Sequence, residues 1–306
     1  MNRPRIVRSG AMFGIGLMLL GIFLFAVNDV MGKWLVATYS VGQVLLLRSA
    51  AALVVLLPII RRQNVPLAVP PRPGLHCVRI CLSTLEVASF YAAVTYLPLA
   101  DVMTYYLAGP IYVAAFAYVL LGEKLDAPRI VAIAVGFVGV VVALRPSVAT
   151  ITLPALIALG GSVFYALLMI TTRQLRDTPD ATLVLGQIIG ALLFGAVAAP
   201  FAWVWPSALD LSALFLLGVV SMAGHMCVNR SLKLAPASVV APYQYTLIVW
   251  AIVLGYLAFG DIVEMGTLVG AGIICGAGLV LLVLERSAAN RGRVRRDIEP
   301  PILPEL

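Results

Sequence analysis

Along the chain, continuous apolar runs of about 20 residues alternate with short polar turns marked by Pro and Gly. The runs are unbroken rather than alternating in polarity, which predicts membrane-spanning helices and disfavours a β-barrel. Ten spans are predicted, at roughly 11–33, 41–60, 75–97, 99–121, 128–144, 152–171, 181–203, 210–230, 236–259 and 265–284. Turn signals such as Pro70-Pro71-Arg72-Pro73-Gly74, Leu97-Pro98, Arg145-Pro146, Trp205-Pro206 and Ala235-Pro236 fall between them.

One stretch occurs twice. Residues 96–125 (YLPLADVMTYYLAGPIYVAAFAYVLLGEKL) align without a gap on residues 234–263 (LAPASVVAPYQYTLIVWAIVLGYLAFGDIV), a shift of 138 positions. Pro98 falls on Pro236, Val102 on Val240, Tyr105 on Tyr243, and Gly122-Glu123 on Gly260-Asp261. One copy in each half predicts an all-α membrane protein whose ten transmembrane helices form two inverted five-helix repeats. Five is odd, so the second copy enters the bilayer from the opposite side, and a site is expected near mid-membrane where the copies meet. The expected division is an N-terminal tail at 1–10, a first repeat at 11–147, a second at 148–286, and a disordered basic, Pro-rich tail at 287–306.

Composition agrees with this pattern. The chain is 62% hydrophobic and 11% charged, with a mean hydropathy of +1.03, which suits a lipid-solvated bundle and not a water-soluble core. The net charge of +7 marks topology and calls for no nucleic-acid partner. Of 21 Lys and Arg, only Lys33 and Arg145 fall in segments that would be outside if the N-terminus is inside, and Arg48 and Arg79 lie within spans. The bias predicts N-in and C-in with an even number of spans; a multi-pass protein of a bacterial inner membrane is expected. The apolar run after Arg3, Arg5 and Arg8 is too long for a signal peptide and reads as the first helix.

Candidate chemistry lies inside the spans. Asp29 and Arg48 sit on consecutive helices at similar depth, either as an ion pair tying helix to helix or as a gate facing the substrate. Arg79, Ser83, Glu86 and Phe90 share one helical face. The 138-residue shift sends Val87 to His225, so each half carries a titratable group at nearly the same place. Glu86 and His225 are expected to flank a central cavity, one of them coupling transport to protons. Tyr105, Tyr106, Tyr243, Gln244 and Tyr245 gather at the repeated segment, where Pro242 loosens the helix start. Their rings suit flat or cationic ligands, although adjacent residues point about 100° apart and cannot all face one cavity. Tyr91 and Asn229 are equivalent under the shift and join the candidate binding set with Tyr165; Gln187 is a weaker member. The glycines Gly136, Gly139, Gly270, Gly272, Gly276 and Gly278 predict close helix packing or the seam of a homodimer.

YLPLADVMTYYLAGPIYVAAFAYVLLGEKL, the nearby GFVGVVVALRPS, the late RSLKLAPASVVAPYQYTLIVWAIVLGYLAFGD and the opening FAVNDVMGKWL…VGQVLLLRS resemble the drug/metabolite transporter superfamily, EamA type. The resemblance covers nearly the whole chain apart from its tails. It implies a ten-helix bundle with inner termini and alternating-access movement of a small-molecule substrate. The look is nearest to the branch with S-adenosylmethionine and riboflavin carriers, and less like the aromatic amino-acid exporters. Gly260-Asp261 departs from the usual Gly-Glu but keeps the acid.

No catalytic constellation is found, and neither a cofactor nor a metal is called for. There is no phosphate-cradling Gly-rich loop, no Ser–His–Asp arrangement and no zinc spacing. His76, Cys77 and Cys81 lack a second ligand pair, so the cysteines are expected to be small buried residues. A membrane-embedded enzyme on lipid-linked substrates would want clustered acids or histidines in a loop, which these short loops lack. A non-transporting scaffold is disfavoured by the charges within the spans.

Overall fold

A computed structural model describes residues 3–62, 72–121, 127–144, 152–175, 177–234 and 241–298. The described residues form eleven α-helices and no strand. The first half holds α1 (Arg3–Val36), α2 (Val41–Arg62), α3 (Pro73–Val94), α4 (Leu99–Leu107), α5 (Gly109–Leu121) and α6 (Ala127–Leu144). The second half holds α7 (Leu153–Gln174), α8 (Asp180–Ala198), α9 (Ala208–Leu234), α10 (Thr246–Phe259) and α11 (Met265–Ile298). Short 3₁₀ turns at Ala199–Ala202 and Ala241–Tyr245 follow α8 and precede α10.

Six of these helices, α1, α2, α3, α7, α8 and α9, are each long and apolar enough to cross a membrane. The others contain shorter apolar stretches, so six rather than ten spans stand on length and hydropathy. The difference is largest at the repeated segment. The expected span at 99–121 is two helices broken at Ala108, where the Ala108 amide turns back to Tyr105. Pro110 has no N–H to offer the carbonyl of Tyr106, so the helical ladder is interrupted there. In the second copy the 3₁₀ turn at Ala241–Tyr245, with Pro242 inside it, takes the corresponding place. Both copies thus enter the bundle through irregular backbone. The tails also differ from expectation. The α1 helix begins at Arg3, and α11 runs on through 287–298, which were expected to be disordered. Ala288, Ala289 and four arginines favour the helix against Asn290 and Gly292, and no proline stands before Pro300 to stop it. Residues 299–306 lie outside the described residues, as does the expected Gly122-Glu123 motif.

The helix pairing follows a two-fold pattern. In repeat terms α1, α2 and α3 correspond to α7, α8 and α9, the α4–α5 pair to α10, and α6 to α11. Helices α2 and α8, α4 and α10, and α6 and α11 pack on their own counterparts. The exchange pairs α1 with α9 and α3 with α7 are likewise equivalent. Such reciprocal contacts are what a two-fold axis between halves produces. The core fills the middle of the bundle, around Leu45, Tyr91, Leu99, Ile111, Leu214 and Ile274.

Where helices cross closely, glycine removes a side chain that would collide. A Cβ on Gly218 of α9 would meet the backbone carbonyl of Arg48 on α2. On Gly139 of α6 it would come within 2.9 Å of Ile273 and Ile274 on α11. Gly136 and Gly278 are likewise filled from outside, by Ile111 and Tyr245, whereas Gly272 and Gly276 have nothing within 4 Å. Backbone cannot yield as a flexible side chain can. Gly218→Ala should therefore lower stability by about 1–3 kcal/mol, seen as a reduced thermal midpoint of the purified protein. Gly160→Ala, which meets nothing within 4 Å, serves as its control.

Candidate functional site

Four charged side chains, Asp29, Arg48, Arg79 and Glu86, converge on one cavity of about 190 Å³ lined by both halves. Its walls come from α1, α2 and α3 of the first half interleaved with α7, α8 and α9 of the second, α1 packing on α9, α2 on α8 and α3 on α7, with α4 and the Ala241–Tyr245 turn beside them. The lining extends from Asn28, Tyr91 and Met103 towards Arg79, Thr172, Asn229 and Gln244, that is, towards the end where α3 begins and α9 finishes.

Arg48 is held from two sides. One guanidinium nitrogen donates to the Tyr91 hydroxyl and another donates to Ser221 Oγ at 2.8 Å. The guanidinium also lies over the Tyr91 ring, 5.3 Å from its centroid. Asn28 Nδ2 donates to Asp29 at 3.0 Å and approaches the same tyrosine hydroxyl at 3.4 Å. Tyr91 is completely buried, and a Cβ on Gly32 would collide with its ring. The expected Asp29–Arg48 ion pair therefore does not form. Both residues line the cavity, but Arg48 is turned onto the tyrosine and Ser221 instead. Arg79 donates to Thr172 Oγ1 at 2.9 Å and to the Leu183 carbonyl at 3.0 Å, so it does not neutralise Glu86 either.

Glu86 is half-buried on the cavity wall. Among the described residues its carboxylate makes no hydrogen bond and no ion pair. The Tyr106 hydroxyl, 3.2 Å away, donates to the Glu86 backbone carbonyl instead. Phe90 meets Tyr106 edge-on at 5.5 Å, and Tyr165 stands beside Tyr106 at 6.2 Å. One buried polar atom of a cavity-lining residue has no partner, Asn28 Oδ1; the Tyr245 hydroxyl, also without one, is directed at Gly278 of α11. Orphaned polar atoms are rare in protein interiors and suit a site completed by a ligand.

Of the residues singled out from sequence, the cavity brings together Asp29, Arg48, Arg79, Glu86, Phe90, Tyr91, Tyr106, Tyr165, His225, Asn229, Gln244 and Tyr245. Two do not line it. Tyr105 is buried in the hydrophobic core, and Tyr243 packs beside Met18 and Ile22 of α1. Each is next to a lining residue, so the helical rotation of about 100° per residue turns it away. Sequence reading missed Ser221, Thr172 and Phe25. Ser221 was legible, since Ser221, His225 and Asn229 form a polar stripe at four-residue spacing on α9. Cys77 and Cys81 are exposed on α3 rather than buried, and no metal-binding cluster occurs among the described residues.

At the end of the bundle away from the start of α1, the two halves are tied directly. Lys33 Nζ meets Asp261 Oδ2 at 2.5 Å and lies 4.6 Å above the Phe259 ring. Gly260, with φ +68°, ends α10 in the left-handed conformation and turns the chain into Asp261. Thr267 donates to Asp101 at 2.7 Å, and Tyr39 donates to Asp210 at 2.7 Å. Gln43 exchanges two hydrogen bonds with the Val204 backbone, at 2.5 and 3.0 Å.

Residues 12–145 and 152–284 each match the EamA-like transporter family. The chain belongs to that family, within the drug/metabolite transporter superfamily. The two matched blocks are the two halves described above. An S-adenosylmethionine uptake transporter of Rickettsia conorii is 27% identical over 280 residues, covering 91% of this chain and 95% of that one. The pseudopaline exporter CntI of Pseudomonas aeruginosa is 26% identical over 262 residues, covering 84% and 91%. A crystal structure of 17% identity shares the fold, with a TM-score of 0.62 over 90% of this chain and 98% of that one. These findings point to a multi-pass membrane transporter of a small molecule rather than an enzyme.

The Tyr91 hydroxyl is the shared support of this EamA chain's cavity. Tyr91→Phe keeps the ring but leaves Arg48 with one partner fewer. The loss should be roughly 1–3 kcal/mol of stability, measured as a lower thermal midpoint. A wild-type midpoint would show that the hydroxyl does not hold the guanidinium.

Proposed function

We propose that the chain is a secondary carrier that moves a small amphoteric metabolite through the central cavity by alternating access. Candidate substrates are S-adenosylmethionine, riboflavin, and amino-acid-like or aromatic metabolites. The observation that carries the reading is Glu86, a carboxylate on the cavity wall with no hydrogen-bonding or ionic partner among the described residues. In a membrane interior such a charge costs several kcal/mol unless a proton or a cationic group answers it. Arginines in the same cavity suit the anionic part of a zwitterion, and the rings of Phe90, Tyr106 and Tyr165 suit a cation or flat group. The S-adenosylmethionine carrier among the relatives favours a substrate of this kind. We place the protein in a bacterial inner membrane with both termini inside. The tied end then faces outward and the cavity runs towards the inside, as an inward-facing state would have it.

Counterflow of S-adenosylmethionine in proteoliposomes tests the carrier. Glu86→Gln removes the charge at constant size and should lower exchange about tenfold, the loss of one charge-assisted hydrogen bond. Absence of counterflow across the whole candidate panel with wild-type protein would sink the proposal. Proton coupling is assigned to Glu86 as well. An imposed pH gradient should drive wild-type uptake and leave the Glu86→Gln variant indifferent; retained pH dependence in the variant removes that role.

The rocking motion has its own check. In a cysteine-free background, Met103→Cys places a probe on the cavity wall. Loosening the outer ties with Asp261→Asn should speed its labelling by an impermeant maleimide added from outside. Equal labelling rates would mean that Lys33 and Asp261 do not seal that end.

A further inference from the structure

The cavity is electrostatically lopsided. Its four Asp, Glu and Arg side chains, Asp29, Arg48, Arg79 and Glu86, all come from the first half of the chain. The second half lines the same space with apolar side chains and with polar groups that include no carboxylate, ammonium or guanidinium, among the described residues. The repeat brings the contrast to nearly the same positions. Under the shift of 138 residues, Gln187 and His225 each stand one residue beyond the counterparts of Arg48 and Glu86. Neighbouring places on equivalent helices thus hold a guanidinium and a carboxylate in one half, an amide and an imidazole in the other.

The neutral pair is assembled as a recognition edge. Gln187 Nε2 and His225 Nε2 lie 3.2 Å apart on α8 and α9. His225 is steadied by Phe25 of α1, edge-on at 4.7 Å. Both residues are half-buried on the cavity wall, and neither makes an ion pair among the described residues. Gln187 Oε1 and His225 Nδ1 make no hydrogen bond among the described residues, so an acceptor and a ring nitrogen remain for a ligand. Gln187 and His225 offer an ammonium no counter-ion of their own, whereas a planar group with its own donor and acceptor would find both. A recess of about 20 Å³ behind the pair is also lined by Arg48 and Ser221, so the guanidinium that would take an anionic head adjoins the neutral pair.

We infer that the two halves read different parts of one substrate: the first half binds its ionic head, and Gln187 with His225 binds an uncharged, hydrogen-bonding planar group. This rests on the carrier reading above and narrows it to zwitterions that bear a neutral heteroaromatic or amide moiety. Gln187 is then a specificity-determining residue.

The test measures dissociation constants of the purified full chain for three probes. S-adenosylmethionine carries both parts, S-methylmethionine keeps the sulfonium amino-acid head without the ring system, and adenosine keeps the ring system without the head. Gln187→Ala should weaken S-adenosylmethionine about tenfold more than S-methylmethionine, because a hydrogen-bonding wall discriminates only against ligands that used it. Glu86→Gln should weaken the two sulfonium ligands by the same factor. The ratio between ligands is the readout, since a variant that merely folds poorly loses both together, and Gln187→Asn, which keeps an amide, should recover part of the ratio. Equal weakening of both sulfonium ligands by Gln187→Ala overturns the inference and leaves the carrier intact. Wild-type protein that binds none of the three probes overturns the inference together with the amphoteric-substrate reading beneath it.

Discussion

A charge inside a membrane bundle must be answered, and this protein answers its arginines without neutralising them. Arg48 is satisfied by a tyrosine hydroxyl, a serine hydroxyl and an aromatic face, and Arg79 by a threonine hydroxyl and a backbone carbonyl. Neutral oxygens supply hydrogen bonds but leave the positive field in place. Pairing Arg48 with Asp29, or Arg79 with Glu86, would have cancelled that field and made two structural ties. Instead Asp29 is held by Asn28 alone, and Glu86 by no side chain among the described residues. The cavity is thereby kept polarised and incomplete, which is what the proposed amphoteric substrate requires.

Holding those side chains apart makes demands on the helices around them. The Tyr91 ring reaches Arg48 only because Gly32 on α1 leaves it room. Arg48 reaches Ser221 because Gly218, one helical turn earlier on α9, lets that backbone approach α2. The interrupted segments serve the same end. Broken helix in hydrocarbon is tolerated where it is buried or borders a wet space, and here both breaks adjoin the cavity. They bring Tyr106 from one copy, and Gln244 and Tyr245 from the other, onto its wall.

How far this could be read from the chain differs from feature to feature. The duplication, the membrane environment and the intramembrane charges were all legible, because each is a property of residue type and spacing. The aromatic cluster was legible only as a group. In the gapless alignment Tyr105 matches Tyr243 and Tyr106 matches Gln244. The structure turns the first pair away and the second pair inward, so the repeat conserved the phase but did not reveal which phase faces the cavity. The Asp29–Arg48 pairing failed for a related reason. Equal distance from a turn fixes depth, not direction, and the partner that intervenes is Tyr91 from a third helix, a contact 43 residues from Arg48 along the chain. The long α11 was hidden by a basic composition that solvated helices and disordered tails share.

The way the cavity charges are held also bears on movement. In the alternating access proposed above, an ion pair that bridges moving helices within the cavity must be broken at every turn. At low dielectric that separation is expensive. Among the described residues no ion pair bridges helices within the cavity, so no such pair has to be taken apart. What Arg48 and Arg79 must release across the interface are hydroxyl and carbonyl bonds, which water can replace. The ion pair that does cross between the halves, Lys33 with Asp261, lies at the end of the bundle with side chains 15% and 20% exposed. There solvent screens the charges and lowers the cost of opening. Arginines held by neutral oxygens thus suit the proposed carrier, which must bind an ionic substrate and still change the direction it faces.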